Sequence, residues 1–196
     1  MPWTCVLLVE TDRASMSLRR YTTDRAKPCT AGFYHEAKTL IGLASLTIDA
    51  EGNWYVNMPQ PPHTDPRWPV QCACGYGFAD EDNWQLSSSR LYKRQDTGAE
   101  LTLDEAEPGM LWEAPWYVDT GWHGDDGRSY VMRLPGGGEW AIDAVSTSGG
   151  RWQRTGEAPR FTVRPSILSY GSATRKRYHG FLTDGVLSDD LEGQTY

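Results

Sequence analysis

Between its glycines and prolines the chain alternates short apolar and polar positions, with breaks every eight to twelve residues and little of the three-to-four spacing of helices. Residues 3–9 form a compact apolar run that predicts a first strand. Residues 40–48 and 54–58 flank Ala50-Glu51-Gly52-Asn53, a turn sequence, and predict a hairpin. A second hairpin is predicted from 129–134 and 139–145 about Pro135-Gly136-Gly137-Gly138. Its second arm alternates only loosely, as a strand covered on both faces does. Residues 160–164 give a further strand. Residues 178–187 fold back on themselves at Thr183-Asp184-Gly185, where Asp-Gly is a strong hairpin signal. Helical signals are confined to 80–84 and to 102–105, where Thr102 and Glu105 can cap one another.

These elements predict a mostly β fold of short antiparallel strands and hairpins, sandwich- or barrel-like, with one or two short helices. Residues 59–69, PQPPHTDPRWP, hold five prolines and predict an extended connection. The expected organisation is an N-terminal β segment (1–58), the Pro-rich connection (59–69), a β-rich domain (70–187) and a C-terminal tail (188–196). The tail has no apolar pattern with which to pack itself. One continuous β-fold is the alternative to a division at the prolines.

At 196 residues the chain can bury a core without obligatory cross-links. Nine Trp and ten Tyr against four Phe favour aromatic side chains with one polar end, suited to sheet faces and interfaces. The net charge of −7 excludes direct recognition of nucleic-acid duplexes, which needs a basic face. The one basic cluster, Arg175-Lys176-Arg177, reads as a solvated loop. Residues 3–9 are too few to span a membrane, and no leader pattern surrounds them.

Four cysteines remain: Cys5, Cys29, Cys72 and Cys74. Without a secretory signal, disulfides are not expected. Cys72 and Cys74 lie in QCACGYGFADEDNWQ, where glycines at 75 and 77 let the backbone fold round an ion. The pair is either half of a metal site or two thiols packed in a turn. A second pair of ligands can come from Cys29, His35, His63, His123 or His179.

Catalytic signatures are lacking. Acid pairs occur at Asp80/Asp82, Asp104/Glu105, Asp125/Asp126 and Asp189/Asp190, in turn-like sequence where solvated acids are common. There is no G-x-S-x-G and no phosphate loop, and RLPGGGEW reads as a hairpin turn. His179 with Asp184 could form a base and its orienter, but Asp184 is already a turn residue.

The ordered set C-x-C-G-x-x-F (72–78), E-x-x-P-G-x-x-W (105–112), A-P-W (114–116), W-x-I-D (140–143), W-x-R-x-G-x-x-P (152–159), T-V-x-P-S-I (162–167) and Y-H-G-F-L-x-D-G (178–185) resembles a family of uncharacterised tailed-bacteriophage proteins. The resemblance covers about residues 70–187. It implies a C-x-C pair answered late in the chain by a Cys and a His, a two-plus-two metal site. Cys72, Cys74 and His179 match that pattern. Arg175-Lys176-Arg177-Tyr178 carries no second cysteine, so Cys29 or another His completes the site, or the site is lost.

The expected site is therefore Cys72, Cys74, His179 and Cys29 holding a structural zinc ion, with no catalytic or other cofactor-binding residues. The expected function is that of a non-enzymatic, phage-encoded virion component, made in the host cytoplasm, in head decoration, head–tail joining or the tail. Its partners would be other virion proteins or copies of itself. The alternative is a zinc-stabilised intracellular module that binds a host protein during infection. A metal-dependent hydrolase with an open zinc position ranks third.

Overall fold

The computed structural model describes residues 1–22, 28–32, 34–145, 149–171 and 176–196. In chain order its strands are β1 (Trp3–Thr4), β2 (Val6–Thr22), β3 (His35–Ser45), β4 (Thr47–Ile48), β5 (Trp54–Tyr55), β6 (Asn83–Arg94) and β7 (Glu100–Leu101). There follow β8 (Met110–Glu113), β9 (Tyr130–Arg133), β10 (Glu139–Ala141), β11 (Gln153–Thr155), β12 (Thr162–Ser169), β13 (Tyr178–Thr183) and β14 (Val186–Leu187). The fold is mostly β, and its only helices among the described residues are 3-10 turns at Leu103–Glu105 and Pro115–Thr120. At the first, the Glu105 carboxylate accepts from the Thr102 N–H and hydroxyl, so the expected cap forms. The helix expected at 80–84 does not. Asp82 instead closes a turn on Ala79, with N–H and carboxylate both engaged, and β6 begins at the next residue.

Two compact units emerge, and their division does not follow the prolines. One comprises Met1–Val9 with Tyr92–Tyr196, the other Glu10–Leu91.

The first unit is a sandwich. One sheet is antiparallel, in the order β1-β14-β13-β12-β11. The other runs β10-β9-β8, with Val6–Leu8 of β2 parallel to Met110–Trp112 of β8. The chain changes sheets at Cys5, whose N–H donates to the Gly185 carbonyl, while the Val6 N–H donates to that of Gly109. Leu111, Met132, Leu134 and Ile142 from one sheet meet Val163, Ile167, Leu182 and Leu187 from the other. These eight side chains are almost wholly removed from water. Each such burial contributes about 1.5–3 kcal/mol. The rings of Tyr130 and Phe161 meet edge-on at 4.9 Å. The other face of β8 is covered too, because Met110 and Trp112 pack with Leu8, Tyr92 and Val131.

The tail does pack on its own chain, contrary to expectation. The Asp190 carboxylate accepts N–H bonds from His179, Glu192 and Gln194, and the Tyr196 hydroxyl lies 2.8 Å from it. The Tyr196 ring meets Trp3 edge-on, and Lys176 donates to the Thr195 carbonyl. Arg177 pairs with Glu192. The basic cluster is therefore part of this fastening rather than a free loop; Arg175 lies outside the described residues.

The second unit is built on Glu10–Thr22 of β2, with β3 antiparallel on one side and β6 on the other. Side chains alternate along a strand, so Ala14, Met16, Leu18, Arg20 and Thr22 share one face, and all five are buried. The Arg20 guanidinium lies 3.7 Å from the Trp84 ring centroid and donates to the Ala79 carbonyl. The β4–β5 hairpin is exposed on both faces. The Pro-rich segment is not simply extended: Asp65 and Trp68 donate to Pro62 and Asp65 in successive turns, and the buried Trp68 indole donates to Pro62.

Candidate metal centre

The centre lies within the second unit and draws on three stretches of chain. Cys72 and Cys74 sit in a tight knuckle. The Cys72 N–H donates to the Tyr76 carbonyl, the Gly75 N–H donates to that of Cys72, and Gln71 bridges Gly77 across the neck. Gly75 has φ +93°, which an L side chain adopts only under strain, so the glycine after C-x-C is what lets the loop close. His35 is the first residue of β3, opposite Thr22 at the end of β2. Its ring stacks on Tyr76 at 4.1 Å and 12°. Cys29 arrives on the stretch before β3, where the Ala31 N–H donates to its sulfur.

The ligand atoms of Cys29, His35, Cys72 and Cys74 all lie within 4.8 Å of one another. Cys29 Sγ is 3.7 Å from Cys72 Sγ, and His35 Nδ1 is 3.0 Å from Cys74 Sγ. A tetrahedral zinc with Zn–S near 2.3 Å sets its sulfurs about 3.8 Å apart. The Cys29–Cys72 edge already has that length. His35 and Cys72 are buried and Cys29 and Cys74 half-buried.

The electrostatics favour thiolate at Cys72. Burial alone would raise its thiol, yet N–H groups of Cys74 and Glu36, with His35 and the Cys74 thiol, bring it down to about 6. Cys29 moves the other way, raised by burial and by the Cys74 and Cys72 thiols despite the Ala31 N–H. A thiolate is the form that ligates metal. All four cysteines of the chain are free, and Cys5 stands apart in the first unit's core, where burial raises its thiol to about 12. A cleft of about 280 Å³ opens beside the centre, lined by Cys29, Tyr34, Glu36, Cys72 and Ala73 among others.

Three of the four residues expected at the site, Cys29, Cys72 and Cys74, are thus brought together, and the histidine beside them is His35 rather than His179. His179 belongs to β13 of the first unit, its ring nitrogens 3.3 Å from Glu192 Oε1 and Ser166 Oγ. His63 stacks on Trp84, and His123 Nδ1 contacts the Gly124 carbonyl. His35 carries a local sequence signal, six residues after Cys29, so that each half of the centre is a short-range pair. The suggested base and orienter do not meet: Asp184 is bound by Arg160. Of the paired acids in the sequence, Asp82 closes its turn, Asp126 pairs with Arg154, and Asp190 holds the tail.

No helix among the described residues is long and apolar enough to cross a membrane. The chain matches no protein-family model, no curated protein and no solved structure.

Proposed function

We propose that this is a non-enzymatic interaction protein whose Glu10–Leu91 unit is held in shape by one structural zinc ion at Cys29, His35, Cys72 and Cys74. The observation that carries the reading is the closed donor set. Three sulfurs and one imidazole nitrogen, all within 4.8 Å of one another, can supply all four corners of a tetrahedral site, whereas catalytic zinc keeps one corner for water. Soft sulfur donors in tetrahedral array suit zinc better than the oxygen-seeking divalent ions. Three thiolates also make the ion a weak Lewis acid.

Work through a surface is supported by Leu40 and Leu43 on β3 and by Ile48 and Tyr55 on the β4–β5 hairpin, all about half or more exposed. Work in the virion, against other virion proteins or copies of the chain, is the reading that the resemblance to tailed-phage proteins supports. The alternative is a zinc-stabilised module that binds a host protein during infection.

Elemental analysis of the recombinant chain with mass spectrometry of purified particles tests both parts. One zinc per chain and many copies per particle support the virion reading. One zinc per chain, absence from particles and co-purification of a single host protein move the function to infection-stage binding. A chain that takes up no zinc overturns the metal centre.

A further inference from the structure

The four ligands are not equally placed toward the cleft. The cleft beside the centre is lined by Cys29 and Cys72 but not by Cys74, whose sulfur faces His35 Nδ1. Cys29 and Cys72 are also in sulfur–sulfur contact at 3.7 Å. Cys72 and Cys74, by contrast, are separated by a single residue within the knuckle, a spacing poorly suited to a disulfide. The one other thiol, Cys5, lies in the first unit's core, apart from the centre. Cys29 and Cys72 are therefore the one thiol pair of the centre that is both in sulfur–sulfur contact and on the cleft wall.

We infer that Cys29 and Cys72 are an oxidative modification site, at which a small peroxide entering by the cleft converts the pair to a disulfide and releases the metal. This rests on the zinc reading above. One thiolate sulfur attacks a peroxide oxygen, the O–O bond breaks, and hydroxide leaves, giving a sulfenic acid. The second thiolate attacks that sulfur, the S–O bond breaks, and a second hydroxide leaves. Two protons from solvent convert both hydroxides to water. The pair has lost two electrons and the peroxide has gained them. The sulfurs close from 3.7 Å to about 2.05 Å. Zinc then keeps only Cys74 and His35, and departs.

Oxidation makes the segment before β3 covalently joined to the knuckle, in place of a joint made through the ion. The unit thus exchanges a metal-borne link for a disulfide, and its zinc content reports the redox state of its surroundings.

The test uses the full chain loaded with zinc, its metal content measured before oxidation. Hydrogen peroxide is added, released zinc is followed with a chromophoric chelator, and remaining thiols are alkylated for peptide mass spectrometry. The expected result is one zinc released per disulfide, the disulfide joining Cys29 to Cys72, with Cys74 and Cys5 still alkylated. The Cys29→His variant keeps four donors without the pair; it is expected to bind zinc and to form no such disulfide. Loading that fails at the outset overturns the zinc reading itself. Zinc bound but retained under peroxide, or released with Cys74 in the disulfide, overturns the oxidation site and leaves the zinc reading standing.

Discussion

His35 Nδ1 lies 3.0 Å from Cys74 Sγ across 39 positions of sequence, an approach made by the pairing of β3 with β2 and the closing of the knuckle at Gly75. The ring is fixed from behind by Tyr76, whose own ring meets Phe78 edge-on, while Phe78 and Trp84 carry the Arg20 guanidinium. The centre and the unit's small aromatic core are one packed assembly, so the ligand geometry and the folding of the unit stand or fall together.

His35→Ala is therefore expected to abolish stoichiometric zinc binding, and His179→Ala to leave it intact. Elemental analysis of the two variants checks this. Truncating His179 removes only its contacts with Glu192 and Ser166 at the first unit's surface, a loss within about 1 kcal/mol of stability. Retention of zinc by His35→Ala with its loss from His179→Ala would restore the ligand set expected from the family resemblance.

Chelation is expected to lower the thermal midpoint of the zinc-loaded chain strongly. At free zinc a thousandfold above its dissociation constant, binding to the folded state alone adds about 4 kcal/mol. For a chain of this size each kcal/mol moves the midpoint by about 2–4 °C, so roughly 8–16 °C should be lost. Differential scanning calorimetry with and without a strong chelator measures it, and re-addition of zinc should restore the midpoint.

How far the sequence discloses this arrangement depends on the range of the interactions involved. Hairpins closed by local turns are legible: β9–β10 forms about Pro135–Gly138, and β13–β14 about Asp184, which takes the left-handed φ of +47°. The C-x-C knuckle is legible for the same reason. The continuation of β2 past Val9 is not, because charges at Glu10, Asp12, Arg13, Arg19 and Arg20 mask the alternation of Ala14, Met16 and Leu18. Arg20 can be buried only because Trp84 and Phe78 arrive from more than fifty residues away. The placing of His35 beside the cysteines is likewise a matter of strand register, Thr22 against His35.

The Asp190 clasp should give the tail an acid-labile hold. Burial alone would raise this carboxyl, but N–H groups of His179, Gln194 and Glu192 and the Tyr196 hydroxyl hold it at about 2. Its folded value lies below the ordinary one, so its contribution is complete above about pH 4. That contribution is lost as pH falls through about 2. Asp190→Asn is expected to cost about 2 kcal/mol at neutral pH, the scale of hydrogen bonds to a charged group. Urea midpoints of the two proteins should converge as pH is lowered toward 2. A gap that persists unchanged to acid pH would mean the carboxylate charge is not what holds the tail.

The buried ion pair of the first unit supplies a sharper test of packing against charge. Arg154 Nε donates to Asp143 Oδ1 at 2.8 Å, with the two side chains 6% and 3% exposed. The guanidinium also reaches Asp126 and lies against the Tyr130 and Phe161 rings. Asp143 further accepts from the Tyr130 N–H, tying the pair to the start of β9. Asp143→Ala strands a buried cation with only the half-exposed Asp126 as counter-charge, and is expected to cost about 3–5 kcal/mol. Adding Arg154→Met removes that charge and leaves an apolar chain between two aromatic rings, so the double variant should be more stable than Asp143→Ala alone. A double-mutant cycle by chemical denaturation measures the coupling, expected at about 2 kcal/mol or more for groups in direct contact. Additive losses would show that Arg154 is held by Asp126 and the rings, and that Asp143 serves the Tyr130 backbone instead.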